Sequence, residues 1–115
     1  MARQLKPEEY TLLKFMLDQS VHPDLANELE SAIVTDMADG GMGSLRFVGN
    51  RSNKMGKVLC EAETVDSDNV PLEISINLDK DGRLFELDIW KVDFSSLQTY
   101  PSPSTLKFLN TKPGN

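Results

Sequence analysis

The chain has 115 residues, 39% of them hydrophobic and 26% charged, a composition that fits one globular domain and excludes a disordered chain or a fibrous repeat. Eighteen acids against twelve bases give a net charge of −6, so the molecule as a whole repels nucleic acid and anionic membrane, and neither is an expected partner. No apolar stretch approaches the roughly 18–20 residues of a bilayer span, the N-terminus lacks the apolar region of a secretory signal, and Cys60 is the only cysteine, which together predict a cytoplasmic protein without a disulfide.

Pro7-Glu8-Glu9 ahead of Tyr10, Leu13, Phe15, Met16 and Leu17 predicts a helix over 7–19, with proline in the first turn and acids at the positive end of the helix dipole. Pro23-Asp24 opens a second, short helix carrying Leu25, Ala26 and Leu29. Ile33-Val34-Thr35 is β-branched and marks a change to strand. The glycines of 39–43 turn the chain back into a strand over 44–48. A polar loop over 49–56 leads to strands over 57–65, 70–78 and 83–94, separated by turns at 66–69 and 79–82. After Phe94 two prolines and the loss of period predict an irregular tail over 98–115, outside a compact core of about 5–97, with Leu97, Tyr100, Leu106, Phe108 and Leu109 as candidates to pin it.

Opposed residues of an antiparallel pair share a face, so the last two strands allow a test of register. Setting Leu78 against Arg83 places Ile76 by Phe85, Ile74 by Leu87 and Leu72 by Ile89 on one apolar face, whereas a slip of one residue would oppose Ile76 to Glu86. The other face then holds Ser75 by Glu86, Glu73 by Asp88 and Pro71 by Trp90, joined by Glu61 and Glu63. Charge is uneven in the same sense: residues 61–93 carry ten acids and three bases, while Arg46, Arg51, Lys54 and Lys57 cluster in the preceding segment.

The motifs of known chemistry fall short one by one. The glycine segment 39–44 has neither the Gly-Lys-Ser/Thr of a phosphate loop nor the spacing of a dinucleotide turn. His22 has no neighbouring ligand for a metal, and the Asp-rich turns lack the glutamate and flanking helices of a calcium loop. Cys60 reads as a core residue and Ser44 lacks a nucleophile-elbow context. The sequon at 50–52 has meaning only in a secreted eukaryotic protein. No cofactor and no metal is expected. A tryptophan among carboxylates is the feature left over: Trp90 reads either as an interface anchor or as part of a second small core with Val92 and Phe94 under the tail.

Two stretches, Asp39-Gly40-Gly41-Met42-Gly43-Ser44-Leu45 and Phe85-Glu86-Leu87-Asp88-Ile89-Trp90-Lys91-Val92-Asp93-Phe94, resemble the signature of a family of small bacterial domains of unknown function, over about residues 5–97. The resemblance implies a bacterial source and carries no activity or site residue.

The expected fold is α+β, with two N-terminal helices packed on a four- or five-stranded, mostly antiparallel sheet. The expected function is a non-catalytic domain, an immunity-type inhibitor or an adaptor, that meets a basic protein partner through Glu61, Glu63, Glu73, Glu86, Asp88 and Trp90. The alternatives are a small enzyme using the carboxylate cluster and a homodimer or larger homo-oligomer built on Trp90.

Overall fold

A computed structural model describes residues 1–49 and 54–109. The sequon at 50–52 and Arg51 of the basic segment lie outside the described residues. The elements are β1 (Arg3–Gln4), α1 (Pro7–Asp18), a 3-10 helix (Pro23–Ser31), β2 (Ile33–Asp36), β3 (Leu45–Val48), β4 (Met55–Val65), β5 (Pro71–Asp79), β6 (Leu84–Lys91), a 3-10 turn (Pro103–Thr105) and β7 (Lys107–Phe108). Among the described residues the strands form one antiparallel sheet in the order β1-β2-β3-β6-β5-β4-β7.

The fold is thus α+β with an antiparallel sheet, and its elements depart from expectation first in strand number, in the second helix and in the tail. Seven strands replace four or five, because two-residue strands at each end of the chain close the two edges of the sheet, and segments that short carry no alternation to read. The second helix is 3-10: the Ser31 hydroxyl donates to the Glu28 carbonyl in its last turn, and only Leu25 and Leu29 are buried to hold it. The segment after Gln98 is not wholly irregular, since Leu106 and Phe108 pack on the core, Phe108 stacks on Phe15 of α1 at 6.0 Å, and β7 pairs with β4.

α1 begins where expected. The Lys6 N–H donates to the Glu9 carboxylate at 2.8 Å, and Arg3 grips the same carboxylate through two bonds of 2.9 Å while its other contacts reach Asp36. This cluster ties β1, α1 and β2 together. Leu12, Leu13, Met16 and Leu17 are fully buried against the inner face of the sheet, formed by Val34, Leu45, Phe47, Cys60, Ala62, Leu72, Ile74, Ile76, Leu78, Leu84, Leu87 and Ile89. The 3-10 helix and the C-terminal segment pack on the same core.

The β5–β6 register is Ile76 with Leu87, Ile74 with Ile89 and Leu72 with Lys91, two residues from the expected pairing but of the same parity. Two one-residue shifts compensate. The hairpin closes at Asp79 and Arg83 on a three-residue loop, with Gly82 at φ +82° and the Asp79 carboxylate accepting from the N–H groups of Asp81 and Arg83 at 2.8 and 2.9 Å. That loop alone would turn Ile76 toward Glu86; a bulge at Phe85, between the pairs Leu78–Leu84 and Asn77–Glu86, restores the apolar face. Phe85 therefore leaves the expected row with Leu87 and Ile89 and is covered by the Arg46 guanidinium, 4.7 Å from the ring centre.

Candidate functional site

The outer face of the sheet is built by alternation from β4, β5 and β6. Its rows are Glu63, Glu73 and Trp90, then Glu61, Ser75 and Asp88, then Asn77 with Glu86 and Arg46. All six residues singled out in the sequence, Glu61, Glu63, Glu73, Glu86, Asp88 and Trp90, stand on this one face, and all are half-buried or exposed. The cross-strand partners differ from expectation, with Glu73 opposite Trp90 and Ser75 opposite Asp88, because of the two-residue shift.

The six are not equivalent. Glu86 is engaged by Arg46 in an ion pair and is mostly covered. Asp88 accepts a hydrogen bond from the Ser44 hydroxyl at 3.1 Å, and the same oxygen of Ser44 accepts the Ile89 N–H at 2.9 Å. Glu63 stands opposite Lys107 of β7. Glu61, Glu73 and Asp88 form no ion pair among the described residues. Two depressions lie here: a cleft of about 490 Å³ lined by residues that include Glu63, Val65, Pro71, Glu73, Thr105 and Lys107, and a hollow of about 150 Å³ bounded by Glu61, Glu73, Ser75, Asp88, Trp90 and Leu109.

Trp90 is 38% exposed, with Phe94, itself 69% exposed, packed beside it at 5.9 Å and a tilt of 56°. The described part of the tail, to Leu109, does not bury the pair, so the expected second core of Trp90, Val92 and Phe94 is not formed among the described residues; Leu97 and Tyr100 instead turn to the inner core. β6 ends at Lys91, three residues earlier than expected, because Phe94 folds back to give its N–H to the Lys91 carbonyl at 2.8 Å with φ +64°. A bulky side chain seldom adopts the left-handed region, where it costs on the order of 1–2 kcal/mol. Here that conformation sets an exposed phenyl ring beside an exposed indole.

The glycine turn serves this face from behind. The Asp39 carboxylate accepts the N–H groups of Met42 and Ser44 at 3.1 and 3.0 Å, and Gly40, Gly41 and Gly43 all have positive φ. A Cβ on Gly43 would meet Leu97 at 3.3 Å and Ile89 at 3.5 Å, so glycine is required for space as well as for conformation. The turn thereby delivers Ser44 to Asp88 and Met42 to the Lys91 N–H, and the two motifs noticed in the sequence meet in space.

Sequence reasoning missed a fully buried ion pair. The Lys91 side chain is fully buried, and its ammonium donates to Asp66 at 2.8 Å, Asp68 at 2.7 Å and the Ser96 carbonyl at 3.1 Å. Asp66 is equally buried and also accepts the N–H groups of Ser67, Gln98 and Thr99. Burial acts to push the Asp66 carboxyl up, but the Lys91 ammonium and the three N–H donors outweigh it and hold the group well below the usual carboxylate range. Burial likewise opposes the Lys91 charge, and the two carboxylates reverse that and raise its pKa. The signal was present: Lys91 continues the inward parity of Leu87 and Ile89, and a charge on a core position demands a partner. The turn expected at 66–69 supplies it.

Burial pushes the Cys60 thiol up to about 12, which leaves it protonated and poorly nucleophilic. His22 is exposed ahead of the 3-10 helix. Among the described residues no group of three or more His, Cys, Asp or Glu is placed to hold a metal ion, and no helix is long and apolar enough to cross a membrane. No curated protein and no solved structure matches the chain. The family described as Domain of unknown function (DUF6984) matches residues 2–101, from β1 to the residue after Tyr100, and the chain belongs to that family.

Proposed function

We propose that the protein is a non-catalytic binding domain, acting as an inhibitor or adaptor of immunity type, and that the outer face of its sheet receives a basic protein partner. The observation that supports this reading is the combination on one face of Glu61, Glu73 and Asp88, without ion pairs among the described residues, and the exposed Trp90–Phe94 pair. An antiparallel sheet tolerates one solvated face, and this one concentrates carboxylates around an aromatic anchor. Complementary charge would steer association and make it sensitive to salt. Glu63 borders the same face, and Glu86 contributes through Arg46, which it fixes over Phe85.

The test is the triple replacement Glu61→Lys, Glu63→Lys and Glu73→Lys, which spares the Arg46–Glu86 and Ser44–Asp88 contacts. A basic protein captured from host lysate at low salt and released at high salt should be lost by this variant while its melting curve is kept. Equal retention of the same protein by the variant would refute the reading.

A further inference from the structure

The outer face offers one place shaped for a single group. Trp90 stands directly opposite Glu73 across the β5–β6 pair, and Asp88 lies two residues before Trp90 on the same side of β6. The hollow that these three share with Glu61, Ser75 and Leu109 measures about 150 Å³. That equals the liquid volume of about five water molecules. It is well under the roughly 300–1,000 Å³ of a site for a small-molecule substrate or cofactor, yet ample for the end of one long side chain.

We propose that this hollow is a socket for one arginine side chain of an extended basic segment in a protein partner, an inference that rests on the reading of the outer face given above. The sign of the occupant follows from Glu61, Glu73 and Asp88, three carboxylates that no Lys or Arg among the described residues neutralises. Its shape follows from the indole: a planar guanidinium stacks on Trp90 while its N–H fork reaches Glu73 on the facing strand and Asp88 beside it, a geometry that the point charge of lysine does not reproduce. The Ser44 hydroxyl holds the Asp88 carboxylate from behind at 3.1 Å, so that partner is in position before the cation arrives. A second copy of this chain is a poor occupant, since two acidic faces repel.

Trp90 is the only tryptophan of the chain, so its fluorescence reports on this hollow alone. The experiment titrates the whole protein with blocked tetra-arginine and tetra-lysine peptides at low salt, following fluorescence and, in parallel, heat by calorimetry. Tetra-arginine should change the Trp90 signal saturably and bind about fivefold more tightly than tetra-lysine, and Glu73→Gln should weaken it about tenfold with an unchanged thermal melt. Heat of binding with a silent Trp90, or with equal affinity in Glu73→Gln, would overturn the socket and leave the basic-partner face standing. The absence of both a fluorescence change and heat with either peptide would overturn the socket and the face together.

Discussion

Trp90 and Lys91 are neighbours in the chain and point to opposite sides of β6, and each is placed against the usual preference of its residue type. Lys91 is fully buried, wrapped by Asp66, Asp68 and the Ser96 carbonyl, while Trp90 is 38% exposed beside Glu73 and Asp88, which form no ion pair among the described residues. The contrast separates two uses of the same acidic composition. On the inner side, carboxylates neutralise a buried cation and, through the N–H groups of Gln98 and Thr99, tie the C-terminal segment to the sheet. On the outer side, similar carboxylates are left toward solvent beside an aromatic pair. The inner acids hold the fold; the outer acids are the ones on which the proposed binding face rests.

The sharpest way to break the contrast is to remove the inner partner. Asp66→Ala leaves the Lys91 ammonium short of its buried carboxylate and frees Gln98 and Thr99, and it should destabilise the protein by roughly 3–5 kcal/mol in a urea titration. A loss under about 1 kcal/mol would show that the pair does not anchor the tail.

Acid probes the same pair without mutation. Because the folded-state pKa of Asp66 is depressed, its contribution is complete above the unfolded value of about 3.9 and is lost as pH falls through that value toward the lower folded one. Melting temperature followed from pH 6 downward should therefore drop below about pH 4, and Asp66→Asn should flatten that slope. A parallel slope in the variant would assign the acid sensitivity to other groups such as Asp36, whose carboxyl Arg3 also holds low.

On the outer side the expected effects on stability are smaller and of opposite sense. Phe94→Gly removes a side chain from the left-handed region, so stability should be unchanged or raised by up to about 1 kcal/mol, while the affinity for a basic partner falls as Trp90 loses its neighbour. A large destabilisation would mean that Phe94 supports the fold. Smallest of all, Glu73→Gln should alter stability by no more than about 0.5 kcal/mol, as expected of a surface position without structural partners; a larger loss in a urea titration would place Glu73 with the inner acids.

How much of this could be read in advance depends on the range of the interactions involved. α1 was legible from Pro7, Glu9 and the apolar residues Leu13, Met16 and Leu17, and β2 from Ile33-Val34-Thr35, because capping, helical period and β-branching act within a few residues. The acidic outer face was legible for a related reason: parity along a strand survives any even shift of register, so Glu61, Glu63, Glu73, Glu86, Asp88 and Trp90 were grouped together even though their partners were misassigned.

Sequence by itself thus determined the α+β class, the parity of the strands apart from Phe85, and the sign of the outer face, all of which follow from local periodicity and residue chemistry. Tertiary structure alone decided the rest. The bulge at Phe85 exists because a three-residue loop at Gly82 would otherwise reverse the faces of β5 and β6. β1 and β7 exist because the edges of the sheet accept two-residue strands that no local pattern announces. Glu86 was withdrawn from the open acids by Arg46, 40 residues away, and Lys91 found Asp66 across 25. Such pairings depend on which distant segments the closed sheet brings within hydrogen-bonding reach, and spacing along the chain does not contain that distance.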